Sequence, residues 1–262
     1  MINLKEYENW LKLNHCPSGV INYVPKIKEY FLTYNEITEQ NINQFIMDKK
    51  NKSLNEGYIN IYIAAIKNYG KFIEKDIKNL KSFKTMQKIP LYITLKFFEE
   101  EIIKDLPFIF DTNLDKIETV LYFLFFSGLR KSEILTLKKE NFNFKEGECK
   151  VIIKKTKEER IIPLTKRVMK MLISYAYDHP SEDNIFGITE SQINYICSKI
   201  AKNYHIQLSP HTFRHSFAMH MKKLGFDLLD IQLLLGHKNI NSTMRYAKAD
   251  IKEIKEKFKR VK

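Results

Sequence analysis

Between residues 114 and 126 the apolar side chains Leu114, Ile117, Val120, Leu121 and Leu124 recur at the spacing of a helix. The segment has the pattern of a buried helix, stable only with other elements packed around it. Ser127-Gly128 breaks it. Arg130 then opens a second helix, with Glu133 three residues on and Ile134, Leu135 and Leu137 forming its buried side. An arginine at a helix start beside a glycine turn is well placed for a phosphate, because its planar fork matches two oxygens at once. The plainer reading pairs Arg130 with Glu133 in a surface ion link that contributes little.

A second helix start stands at Ser209-Pro210, a serine able to accept a backbone N–H followed by a proline suited to the first helical position. Phe213, Phe217, Met221 and Leu224 make one apolar stripe. His211 and Arg214 lie off that stripe, one turn apart, so both can reach a single phosphate near a helix end that itself favours anions. Taken alone the pair also reads as a capping histidine and a surface cation. A zinc site built from His211, His215 and His220 is weaker, since the helical zinc-hydrolase pattern wants glutamate where Thr212 stands. His215 and His220 read as packing or surface histidines.

Downstream, the apolar run Leu228 to Leu235 ends at Gly236, the residue type that commonly stops a helix in left-handed geometry, so His237 projects from a helix-terminal turn. Nine residues later stands Tyr246. With 14 tyrosines in the chain, its weight comes only from that position. Arginine is used sparingly: six of the 44 basic residues, at 130, 160, 167, 214, 245 and 260. Phe142 to Phe144, Lys150 to Ile153 and Arg160 to Leu164 read as three short strands, with Pro163 limiting the last to an edge or an end. The charged turn between the second and third carries Lys154, Lys155 and Lys157, and each can swing into a groove and deliver a proton.

Arg130 within Ser-Gly-Leu-Arg-Lys-Ser-Glu, His211 with Arg214, Leu-Gly-His237 and Tyr246 together resemble the tyrosine recombinases, also called the phage integrase family. The resemblance covers about the last 175 residues by motif and the rest by layout. It implies that Arg130, Lys155, His211, Arg214, His237 and Tyr246 are catalytic. Glu133 supports them from behind, and Lys155 is singled out by standing eight residues before Pro163. It implies a mainly α fold with a small antiparallel β-sheet (α+β). Residues 1–88 would form an N-terminal helical, SAM-like core-binding domain that clamps DNA, and residues 89–262 a catalytic domain. The tail Ala249 to Lys262, with Ile251, Ile254, Phe258 and Val261 on one stripe, would dock on a neighbouring protomer. The partners would be a double-stranded DNA recombination site and further copies of the chain, a dimer on one site and a tetramer in synapsis.

The chemistry implied is cleavage and rejoining of DNA through a 3′-phosphotyrosine, in Xer-like resolution or in integration and excision of a mobile element. The layout is more similar to simple Xer-type members than to lambda-type integrases with an added arm-binding domain. Two other readings share these residues: a type IB topoisomerase-like enzyme and a catalytically silent DNA-binding protein of the same fold. No cofactor is expected, for neither a metal-ligand cluster nor a glycine-rich phosphate loop is present in the sequence.

Net charge of +13 favours a polyanionic partner and salt-sensitive binding. No apolar run approaches the roughly 18 residues of a spanning helix, so no membrane partner is expected. Cys16, Cys149 and Cys197 are odd in number and far apart, which fits a reduced, cytoplasmic protein, nucleoid-associated if cellular. Residues 1 to 88 read as four helices: Pro17-Ser18-Gly19 separates the first two, Thr38 starts the third, and Ser53 with Glu56 makes a capping box for the fourth. This part has 14 lysines and no arginine, suited to gripping phosphates more than reading bases. Gln87-Lys88-Ile89-Pro90 is the expected linker.

Overall fold

The computed structural model describes residues 4–14, 17–77, 79–84, 90–152, 159–179, 184–237 and 240–246. The chain divides into two compact units, Met1–Gln87 and Lys88–Lys262. The expected linker lies almost wholly outside the described residues, as do Lys154, Lys155, Lys157 and the tail with Phe258.

The first unit is helical: α1 (Leu4–Asn14), α2 (Pro17–Phe31), α3 (Glu39–Asn51) and α4 (Glu56–Phe72). Its core is rich in aromatic rings, with Tyr7, Tyr30, Phe45, Tyr62 and Tyr69 buried among Leu11, Ile27, Ile59 and Ile63. Thr38 caps α3 as its sequence predicts, its hydroxyl accepting the Asn41 N–H at 3.2 Å. The cap of α4 differs from expectation. Ser53 has left-handed geometry (φ 55°), its amide spent closing the end of α3 on the Lys50 carbonyl, and Asn55 caps α4 instead by accepting the Gly57 N–H at 2.7 Å.

In the second unit, α5 (Leu95–Phe97) runs through a π-helical turn (Phe98–Ile103) into α6 (Lys104–Ile109). There follow α7 (Leu114–Ser127), α8 (Lys131–Ile134), α9 (Lys166–Asp178), α10 (Glu190–Asn203), α11 (Pro210–Lys223) and α12 (Leu228–Leu235). Short 3-10 turns cover Lys139–Asn141, Ile240–Ser242 and Met244–Tyr246. No described helix is long and apolar enough to cross a membrane.

Helix α7 is the centre of this unit. Ile117 and every residue from Val120 to Phe125 are buried, so the helix is apolar nearly all round and needs neighbours on every side. Phe98 stacks on Phe125 with centroids 4.5 Å apart, and α9 and α11 flank the helix. The apolar stripe expected on α11 holds for Phe213 and Phe217 but fades toward its end, where Leu224 is exposed.

The sheet is antiparallel in the order β1 (Phe142–Asn143), β2 (Glu148–Ile152), β3 (Glu159–Pro163). Its strands fall within about two residues of those read from the sequence. In the register, Cys149 faces Ile162 and Val151 faces Arg160. Strand alternation therefore puts Arg160 on the same face as buried Ile162, turned toward the protein and away from solvent.

Candidate active site

The site begins where α7 stops. Gly128 adopts left-handed geometry (φ 63°), and a side chain there would put Cβ 2.3 Å from the Phe217 ring. Two residues on, Arg130 is the N-cap of α8. The Glu133 carboxylate reaches back, accepting the Arg130 amide at 2.8 Å on Oε2 and its Nη1 at 2.9 Å on Oε1. This is not the surface ion link of the plainer sequence reading, because the Glu133 side chain is only 8% exposed. Burial favours protonation, but the Arg160 guanidinium, the Arg130 amide and the Arg130 charge outweigh it and hold the carboxyl below its usual range.

Arg214 is the most enclosed cation of the group, 4% exposed. Its Nη1 donates to the Gly128 carbonyl and its Nη2 to the Leu235 carbonyl, both at 2.7 Å. Both acceptors sit at helix C-terminal ends, where the dipole is negative, so the guanidinium ties α7 to α12. Burial and the nearby Arg130 push its pKa down to about 9, which leaves it cationic at neutral pH. Arg130 Nη2 in turn donates to the Gly236 carbonyl at 3.3 Å. Two arginines thus bind consecutive carbonyls of the turn that presents His237.

Gly236 ends α12 in left-handed geometry (φ 62°), as the sequence predicts. His237 Nδ1 lies 2.8 Å from the Thr243 hydroxyl, and the Tyr246 amide donates to the Thr243 carbonyl at 2.9 Å. Buried Thr243 therefore fixes both the imidazole and the tyrosine. Tyr246 is 2% exposed, packed with Phe217, Ala218, Ile231 and Leu235. Its hydroxyl lies 2.6 Å from His215 Nδ1. His211 stands exposed in the first turn of α11, after Ser209, whose hydroxyl accepts the Thr212 N–H at 3.3 Å. Although the side chain reaches solvent, partial desolvation of the ring, then Arg214, Lys131 and Arg130, lower its pKa below the ordinary 6.5, so the ring is neutral at neutral pH.

Arg130, Arg214 and His237 are thus gathered around the end of α12. His211 is close enough to feel both arginines, and Tyr246 is close enough to act electrostatically on Arg214. Such a set of fixed cations and donors suits an oxyanion, not a metal. The zinc reading does not form: His215 goes to Tyr246, while His220 lies against the Phe125 and Phe126 rings. Sequence reasoning passed over His215, Thr243 and Arg160. His215 stands one turn after His211 and beside Arg214, a spacing that was a usable signal. Arg160 was marked only by the scarcity of arginine.

Residues 96–253 match the model of the phage integrase family. The chain belongs to this family. This phage integrase family member is 26% identical to the tyrosine recombinase XerA of Pyrococcus horikoshii, over 99% of the chain and 93% of the relative. It is 31% identical to the tyrosine recombinase XerC of Rickettsia bellii, over 73% of the chain and 69% of the relative. Its fold resembles a crystal structure of the XerH site-specific recombinase bound to difH substrate in a pre-cleavage complex. There the TM-score is 0.74 at 19% identity, covering 99% of this chain and 84% of that one.

Proposed function

We propose that this phage integrase family member is a site-specific DNA recombinase that cleaves and rejoins strands through a 3′-phosphotyrosine on Tyr246. The observation that carries the reading is the grip of Arg130 and Arg214 on consecutive carbonyls at the end of α12, with the Tyr246 hydroxyl held by the residue next to Arg214. XerH, similar in fold, was solved on its difH substrate, and the net charge of +13 here suits the same class of partner.

A phenol has a pKa near 10, so it attacks phosphate poorly unless its proton is drawn off and the charge growing on the phosphorane is neutralised. Arg130 and Arg214 supply fixed positive charge, and His211 and His237 supply imidazoles beside it. One such donor contributes about 3 to 4 kcal/mol to the transition state. Tyr246 Oη gives its proton to a neighbouring neutral imidazole, bonds to phosphorus and displaces the 5′-oxygen, Lys155 gives that leaving oxygen a proton, and the products are a 3′-phosphotyrosine and a free 5′-hydroxyl. One phosphodiester replaces another, so the bond energy is kept for rejoining. Because Tyr246 is buried, a DNA phosphate meets its hydroxyl only after the 240–246 segment shifts.

Residues 1–88 would clamp the DNA with their lysines, and the 249–262 tail would join protomers into a dimer on one site and a tetramer in synapsis. The test is a nicked substrate that traps the cleaved strand. A covalent complex with the wild type, none with Tyr246→Phe, and strand exchange between two sites support the proposal. Absence of any covalent complex refutes it, and relaxation of supercoiled DNA without exchange makes the enzyme a topoisomerase instead.

A further inference from the structure

We propose that Arg160 is a positioning residue for the cleavage step, holding Glu133 and the Gly236 turn so that Arg130 meets the scissile phosphate with its charge largely unspent. The inference rests on the recombinase reading and assigns a role to a residue that takes no part in the steps above.

The sheet register turns Arg160 inward, and its side chain is 10% exposed. Its Nη2 donates to Glu133 Oε2 at 2.9 Å and its Nη1 to Oε1 at 3.2 Å, the forked geometry that lysine cannot reproduce. The Glu133 carboxylate thus receives four N–H groups, two from Arg130 and two from Arg160. One negative charge is shared between two guanidinium groups, and the cluster keeps a net positive charge. With Arg160 gone, Glu133 would neutralise Arg130 alone.

The same guanidinium fills the space under the turn before His237. A Cβ added to Gly236 would lie 2.0 Å from Arg160 Nη1, so the glycine serves the left-handed helix end and the close approach together. Gly236 also offers its carbonyl to Arg130. Arg160 therefore braces both groups that orient Arg130, from a strand that directly follows the 153–158 segment carrying Lys155. The Nε of Arg160 is buried without a hydrogen-bond partner. Leaving a buried donor unmet is unfavourable, and here the carboxylate contact on the other two nitrogens holds the side chain in place.

The experiment measures single-turnover cleavage of a trapping substrate at saturating DNA, together with DNA affinity, for the full chain. Wild type and Tyr246→Phe run alongside Arg160→Gln, Arg160→Lys, Glu133→Gln and the double variant Arg160→Gln/Glu133→Gln. Arg160→Gln is expected to slow cleavage about a hundredfold, the scale set by a misplacement near one ångström. Affinity should stay within about threefold, since an enclosed side chain does not grip DNA. Arg160→Lys should recover part of the loss. In the Glu133→Gln background the Arg160→Gln change should cost little more, because the link is already cut; a purely structural role would cost the same in both backgrounds. Should Arg160→Gln not fold, Arg160→Lys takes its place in the same comparison.

Unchanged cleavage by the Arg160 variants, with wild type active and Tyr246→Phe inert, overturns this inference and leaves the recombinase reading standing. Equal losses in both backgrounds, or a loss of DNA affinity matching the loss of rate, also overturn it. No covalent adduct from the wild type removes the recombinase reading and this inference together.

Discussion

The hydroxyl of Tyr246 lies 2.6 Å from Nδ1 of His215, with the tyrosine packed among Phe217, Ala218, Ile231 and Leu235. Tyr246 is 2% exposed and His215 is half-buried, so the contact is shielded from water on the tyrosine side. Removing either partner loses this contact, a loss of about 0.5 to 1.5 kcal/mol on the net scale of one hydrogen bond. His215→Phe and Tyr246→Phe are each expected to lower stability to urea by an amount in that range. The double variant should lose less than the sum, since the same contact is already lost in either single variant. Strict additivity in the cycle would mean the contact contributes nothing in solution.

Gly128 sets the entry to the site and tolerates no side chain. Its left-handed backbone penalises an L-residue by about 1 to 2 kcal/mol, and its Cβ would strike the Phe217 ring at 2.3 Å. Displacing Phe217, which packs on Tyr246, adds about 1 to 3 kcal/mol of overpacking. Gly128→Ala should therefore destabilise the second unit by more than the backbone strain alone. Pairing it with Phe217→Leu should return part of the loss in a denaturant titration, and no such return would place the penalty wholly in the backbone.

Much of this site was readable before any coordinates. The α7 core, the stop at Gly128, the Pro210 start of α11 and the Gly236 stop of α12 all follow from local chemistry, in which residue type and spacing suffice. Long-range pairing was not readable. Nothing local says that Arg160 would turn inward to meet Glu133 27 residues earlier, or that His215 would meet Tyr246 31 residues later. The misplaced cap of α4 is a local failure: Ser53 and Asn55 are both good caps, and the left-handed end of α3 decided between them.

Glu133 gives the fold an acid-sensitive point. Its carboxyl titrates below the ordinary 4.5 because Arg160, the Arg130 amide and the Arg130 charge outweigh the effect of burial. A group whose folded pKa is lowered contributes stability that is present in full above the unfolded value and is lost as pH falls through the folded one. Wild-type stability should therefore drop as pH falls below about 4.5, near the unfolded value of a glutamate. Glu133→Gln should be less stable at pH 6 and show a shallower acid slope. Parallel urea midpoints for the two proteins from pH 6 to pH 3.5 would show that the carboxylate is not the source.

His211 carries the pH dependence of DNA binding if the recombinase reading holds. In the free protein its imidazole is kept neutral by partial desolvation and by Arg214, Lys131 and Arg130. A phosphate brought among these cations adds negative charge that favours the protonated ring, so its pKa rises on binding and a proton is taken up. By linkage, affinity then increases as pH falls from about 7.5 toward 6, the range around the unperturbed histidine value. His211→Asn keeps a hydrogen-bonding side chain but cannot titrate, so its affinity should change less over that range. The comparison is made at fixed ionic strength, because salt alone shifts affinity steeply for a protein of this charge. An identical pH slope in wild type and His211→Asn would assign the proton to another group and leave His211 outside the phosphate pocket.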